Sequence, residues 1–299
     1  MRILVIGATG YIGGVVAERL DARGHEVVAL VRPGSDPAGL PARAQVRVGS
    51  LTEPATLTAV LTADVDGVVN LATPSGDPAT DGASTAALLA PLRGTGRPYL
   101  YTSGIWVLGT TGPEPADEET PTDPIGIVGH RPAIEQQVLS AADDGVRSLV
   151  VRPAIAHGRG GGIPALFVQQ AASRGRGRYV GDPATRWPMV HVDDLADLVV
   201  AALERAPAGT LLHAVAEQGV PVADLALAAA QAAGVAGRTE SWSVDEAAAV
   251  LGAPFAEALA LSQVCRADRA RRELGWQPSR PGAVDDLAHG SYARTLTRA

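Results

Sequence analysis

A short apolar run, Ile3-Leu4-Val5-Ile6, leads straight into Gly7-Ala8-Thr9-Gly10-Tyr11-Ile12-Gly13, and no other feature restricts the fold of this chain as strongly. A strand, a turn with glycine at every third position and then a helix is the arrangement that cradles the diphosphate of a dinucleotide. Gly7 permits the tight turn, Gly10 lets the backbone approach a pyrophosphate, and Gly13 allows the helix to pack closely on the strand. The helix N-terminus adds N–H donors and the positive end of its dipole. Gly7, Thr9, Gly10, Tyr11, Ile12 and Gly13 are therefore the first expected cofactor residues. Running at once into a glycine turn, the apolar start is expected to be a strand rather than an export signal.

The pattern continues through the first half. Short apolar strands are expected at residues 2–6, 26–31, 45–48, 67–71, 99–102 and 148–151. Helices are expected at 11–23, 53–62, 82–93 and 132–143. Strands that alternate with helices predict an α/β fold, a doubly wound parallel sheet of the Rossmann type. The second half is less regular: Gly/Arg-rich loops at 158–162 and 174–178, with helices at 192–205, 222–233, 244–251, 254–261 and 266–274. Residues 1–160 are expected to form the dinucleotide-binding domain. Residues 161–299 are expected to complete the sheet and form a small C-terminal substrate lobe. The Pro- and acid-rich stretch 113–124 reads as an exposed loop bordering the active site.

The end of the second strand bears on which dinucleotide binds. A carboxylate there accepts from the ribose 2′-hydroxyl of NAD, whereas an arginine suits the 2′-phosphate of NADP. Val31 is followed by Arg32, and no acid occurs before Asp36. NADP(H) is expected over NAD(H).

Composition narrows the function. A net charge of −7 offers no basic footprint for nucleic acid or an anionic membrane. No apolar run reaches the length of a membrane span. The single cysteine, Cys265, fits a reducing cytoplasm. The expected partner is a small-molecule substrate, and a homodimer is the assembly left open. All 25 basic residues are arginine, so no mechanism here can use a lysine. A GC-rich genome accounts for that bias, and the alanine-rich composition points to secondary metabolism.

Taken together, several motifs resemble the extended short-chain dehydrogenase/reductase superfamily, in the branch of NAD-dependent epimerases/dehydratases. They are Gly7-Ala8-Thr9-Gly10-Tyr11-Ile12-Gly13, Asn70-Leu71-Ala72, Tyr101-Thr102-Ser103-Gly104, Arg152-Pro153 with Gly158, His191-Val192-Asp193-Asp194-Leu195-Ala196 and Leu274-Gly275-Trp276. The resemblance implies that Leu71, Ala72 and Thr73 line the cofactor and that Pro153 lies near the nicotinamide. Ser50, with Leu51, falls where the family often has an Asp facing the adenine. Nucleotide-sugar enzymes of the family commonly carry an Asn just beyond the Arg-Pro. Here the chain reads Ala154-Ile155-Ala156, which favours a smaller or more apolar substrate.

The catalytic pattern departs from the family. Its Tyr-x-x-x-Lys pair maps onto Ile127 and Arg131, and its serine onto Gly104, beside Ser103. Ser103, His130 and Arg131 are the candidate catalytic residues, with Thr110, Thr111 and Tyr179 as more distant donors. A histidine side chain titrates near neutrality and suits proton transfer. A guanidinium keeps its proton and is no general acid, though it can hold ribose hydroxyls, so Arg131 is also an expected cofactor residue. The expected function is reduction or oxidation of a small carbonyl, imine or enone compound. The alternatives are a non-catalytic NADP(H)-binding regulator or redox sensor, and a shifted alignment in which another residue serves. No metal site is expected: His191 precedes Asp193 and Asp194, one of which is expected to cap the next helix, and His157 and His213 read as structural.

Overall fold

The structure is a computed structural model, and it describes residues 1–72, 76–235 and 237–293. The first half lays down β1 (Arg2–Ile6), α1 (Tyr11–Ala22), β2 (Glu26–Val31), β3 (Gln45–Val48), α2 (Pro54–Val60), β4 (Gly67–Asn70), α3 (Pro78–Leu89), β5 (Pro98–Thr102), α4 (Arg131–Ser140) and β6 (Arg147–Pro153). The second half adds β7 (Ile155–His157), α5 (Gly162–Arg174), β8 (Gly177–Val180), β9 (Arg186–His191), α6 (Val192–Arg205), β10 (Thr210–Ala214), β11 (Glu217–Pro221), α7 (Val222–Ala232), β12 (Thr239–Trp242), α8 (Val244–Leu251), α9 (Ala253–Ala260), α10 (Asp268–Leu274) and α11 (Ala283–His289).

Seven strands form one parallel sheet in the order β10-β6-β5-β4-β1-β2-β3. Side chains alternate across it as the pleat requires. Ile3 and Val5 of β1 join a core with α1 and α6, while Leu4 and Ile6 join a second core with α2, α3 and α4. Both faces are covered, which is why these strands read as continuous apolar runs. The chain progresses outward from β1 in both directions, so the turns after β1 and β4 meet at a switch point, the place where open α/β sheets bind ligands.

A third core joins β9, α5, α7, α9 and α11 into a lobe beside the carboxyl end of the sheet, with two small sheets, β11-β9-β7 and β12-β8. Several of its elements, α5, β7 to β9, β11, β12 and α11, have no counterpart in the sequence expectations, and neither does β10 at the edge of the central sheet. The 174–178 stretch, expected as loop, runs into β8 at Gly177. β7, β8, β11 and β12 have three to five residues each, and packing against α5 and α7 fixes them rather than any strong local pattern. The 113–124 stretch is a correction. It lies against residues 264–266, the segment leading into α10, instead of bordering a cleft: Asp117 pairs with Arg266 at 2.6 Å, and the Ala116 N–H donates to Val264 O at 2.9 Å.

Among the described residues no helix is long and apolar enough to cross a membrane.

Candidate active site: two joined clefts at the switch point

The first cleft, about 700 Å³, opens at the carboxyl ends of β1, β2 and β4. Gly7 takes φ +83°, a left-handed value that a side chain would strain, and a Cβ there would stand 2.8 Å from Ala72 N. The Gly10 N–H donates to Gly7 O at 2.9 Å and closes the turn. A Cβ on Gly13 would stand 1.9 Å from Gly7 O, so only glycine lets α1 pack this close. No side chain caps the start of α1, and its first turn holds no acid. Its leading N–H groups are left for a ligand, and an anion suits them. Gly7, Thr9, Gly10, Tyr11, Ile12, Gly13, Arg32, Ser50, Leu51, Leu71 and Ala72 all line this cleft. Thr73 lies outside the described residues. Arg32 is exposed, and its guanidinium makes no hydrogen bond or ion pair among the described residues.

The second cleft, about 270 Å³, shares Tyr11, Ile12, Leu71 and Ala72 with the first, so the two are continuous. It is lined by Thr102, Ser103 and Gly104 after β5, by Arg131 at the start of α4, by Pro153 and Ile155, and by the apolar side chains of Ile105, Trp106, Val128 and Ile163. Arg131 Nη1 donates to the Ser103 backbone carbonyl at 2.8 Å. Gly104 makes room for it, since a Cβ there would approach Nη1 to 3.3 Å. Three residues lining this cleft carry a buried polar atom without a partner: Thr102 Oγ1, Ser103 Oγ and Arg131 Nε. Tyr101 Oη also has none, but Tyr101 lies in the core under α4 and does not line the cleft. Buried groups of this kind are normally satisfied, which makes the end of β5 a place where a ligand or water belongs. Burial, reinforced by Glu135 and Asp81 against the opposing pull of Arg131, pushes the Tyr101 phenol up to about 12.

The remaining candidates fall elsewhere. His130 is turned onto α3, where its Nε2 meets Asp81 Oδ2 at 2.9 Å, and it lines neither cleft. Ile127 sits in a 3₁₀ turn, Gly126–Val128, and is half-exposed. Thr111 is tied to the Val264 backbone. Trp106 packs edge-on against Phe255, with ring centroids 6.5 Å apart, and so forms a firm wall.

His191, rather than Asp193 or Asp194, caps α6: its Nδ1 accepts from the Asp193 N–H at 3.2 Å. Asp193 instead takes Arg159, the one described non-glycine residue with positive φ, at 2.7 Å. The fold also gathers His157, His191 and Asp286, whose ligand-capable atoms lie within 4.8 Å of one another. Within the chain His157 Nδ1 meets Asp286 Oδ2 at 3.4 Å and helps tie α11 to β7.

Two features escape sequence reasoning. One is the buried pair of Arg152 and Glu135, whose only local signal is a charge between Val151 and Pro153. The other is the Tyr11 hydroxyl, which donates to Gly158 O at 2.8 Å and joins the glycine loop to α1. Burial, with Tyr292 and Asp286 nearby, raises the Tyr11 phenol far above its ordinary value.

The profile of the NAD dependent epimerase/dehydratase family matches residues 3–215. An uncharacterized protein of Schizosaccharomyces pombe is 33% identical over 98% of this chain and 100% of its own length. A 3-diazoavenalumate denitrifying reductase of a Streptomyces species is 31% identical over 96% of this chain and 99% of its own. The UDP-glucose 4-epimerase of Thermus thermophilus, crystallised in complex with NAD, shares the fold with a TM-score of 0.81 at 20% identity, covering 98% of this chain and 99% of its own. The glycine turn, the doubly wound sheet and a profile match over most of the chain agree: this protein belongs to the NAD-dependent epimerase/dehydratase family.

Proposed function

We propose that the protein is an NADP(H)-dependent oxidoreductase acting on a small carbonyl, imine or enone compound. One observation carries this reading. A single cleft runs from an uncapped helix N-terminus, past the unpaired guanidinium of Arg32, to unpartnered donors at Ser103 and Arg131. The residues fit a dinucleotide. Gly7, Gly10 and Gly13 give its diphosphate access to the first turn of α1, and Arg32 matches a 2′-phosphate. Ser50 and Leu51 flank the adenine end, and Pro153 flanks the nicotinamide end. When bound, the cofactor supplies or takes a hydride.

The chain's own part is to bind and orient. Arg131, held by the Ser103 carbonyl, serves the ribose hydroxyls and, together with Ser103 Oγ, the oxygen of the acceptor. Trp106, Ile155 and Ile163 form an apolar wall for the acceptor's body at that end of the cleft. His130, engaged with Asp81, has no part in this scheme. Residues 1–160 hold the cofactor, while 161–299 complete the sheet and supply the substrate lobe. The reductase name of the Streptomyces relative supports the reaction class, and the lone buried Cys265 suits a cytoplasmic enzyme of secondary metabolism.

The test is calorimetric binding of NADPH and NADH, then turnover followed at the nicotinamide absorbance over carbonyl, imine and enone panels. NADPH is expected to bind tighter than NADH and to be oxidised by some acceptors. Binding without any turnover would instead establish the regulator, a reading favoured by the shortage of acidic groups in the second cleft.

A further inference from the structure

The second cleft lacks something a ketone reductase needs. Reducing an isolated carbonyl builds an alkoxide, which must be protonated as it forms, and enzymes supply that proton from a positioned side chain. The chain has no lysine, and every histidine, cysteine, tyrosine, aspartate and glutamate it contains is among the described residues. Of these only Tyr11 lines the second cleft, and its hydroxyl proton is already donated to Gly158 O. What the cleft does have is donor capacity for an oxyanion, in the Ser103 hydroxyl and the Arg131 guanidinium.

The same lining separates the acceptors that need no acid. An iminium ion is already cationic, and a site for it wants a carboxylate. No carboxylate lines this cleft, the nearby Glu135 is engaged by Arg152, and the charge present is that of Arg131. A conjugated carbonyl places negative charge on oxygen, where donors help, and its apolar body suits Trp106, Ile105 and Val128.

We infer that the substrate is an α,β-unsaturated carbonyl compound, reduced at its carbon–carbon double bond, with the enolate oxygen held by Ser103 and Arg131. This rests on the oxidoreductase reading above. In the step, hydride forms a bond to the β-carbon and the alkene π pair shifts until charge rests on the carbonyl oxygen. Water then protonates the α-carbon. The nicotinamide is oxidised by two electrons, the alkene is reduced, and one proton is drawn from solvent.

The test needs a readout besides turnover, and a nitrophenol supplies one, because its phenolate mimics an enolate and absorbs in the visible. Added to the NADP⁺-loaded protein, it is expected to bind as the phenolate at a pH where it is largely neutral in solution. Ser103→Ala should weaken that binding by about 10- to 100-fold, and should lower kcat on enones by about 100-fold. With deuterium at nicotinamide C4, the label should appear on the product's β-carbon. Nitrophenol bound in its neutral form, or saturated ketones reduced as fast as enones, would overturn the inference while leaving an oxidoreductase. NADPH that binds but is oxidised by no enone would overturn it too. Failure of NADPH to bind at all would remove the cofactor reading beneath it. The wild-type phenolate spectrum answers the question even if Ser103→Ala does not fold.

Discussion

Arg152 on β6 and Glu135 on α4 form a buried, two-pronged ion pair, with Nε 3.0 Å from Oε1 and Nη2 2.5 Å from Oε2. Both residues are almost fully buried, so each charge depends on the other. Glu135 lies one helical turn beyond Arg131, and the pair therefore fixes α4 on the sheet where it presents Arg131 to the second cleft.

Breaking this pair should be costly. Glu135→Leu alone leaves the Arg152 charge buried, with an expected loss of about 3–5 kcal/mol. The double variant Glu135→Leu, Arg152→Leu should recover much of that loss, because a buried pair often does little better than well-packed apolar residues. Chemical denaturation of the single and double variants checks this. A double variant as unstable as the single would show that the pair adds net stability.

Arg32 should govern cofactor choice. Arg32→Ala is expected to raise the Kd for NADPH by about 10- to 100-fold, the equivalent of one hydrogen-bonded charge, and to leave NADH nearly unchanged. Titration calorimetry with both dinucleotides measures the split. An equal loss for both would place the guanidinium away from the 2′ position.

Stability should fall in mild acid through His213. This residue on β10 is buried beside Arg152, its Nδ1 lies 3.1 Å from Arg266 O, and its Nε2 has no partner. Burial, and then the Arg152 charge, pushes its imidazole down to about 3. The unfolded chain takes up this proton at ordinary histidine pH while the folded chain refuses it, so stability is full above about pH 6.5. It declines as the pH falls toward 3, by at most about 1.4 kcal/mol per unit. His213→Gln should flatten that slope in denaturation curves taken between pH 7 and 4. An unchanged slope would assign the acid sensitivity to other groups.

The loop of residues 158–162 should depend on Tyr292. Its hydroxyl accepts from Gly158 N at 2.8 Å and donates to Gly161 O at 2.7 Å, while the side chain is buried. Tyr292→Phe leaves both backbone groups unpaired, at an expected cost of about 1–3 kcal/mol. Because Gly162 lines the second cleft, KM for the acceptor should rise more than the Kd for NADPH. Faster amide exchange confined to this loop would locate the effect, and unchanged exchange would count against the clamp.

The first half of the fold and the lining of the first cleft were legible because their determinants are local. Glycines at fixed spacing after a strand, and apolar runs buried on both faces, carry their structure wherever they occur. Arg32 followed from the same logic, since its place is set by the end of β2. The lobe was legible only in its helices α7, α8 and α9; its strands, and α5 and α11, were not, because long-range partners rather than a local pattern stabilise them. Nor could spacing show that His130 would turn to Asp81, 49 residues away, while Arg131 beside it turned to Ser103. Successive residues at the start of a helix point in directions about 100° apart, and only the packing of α4 against α3 and β5 decided which of the two faced the cleft. Sequence alone therefore determined which ligand class the glycine turn suits. Tertiary structure decided which side chains meet it, because burial and partner choice depend on residues far apart in the chain.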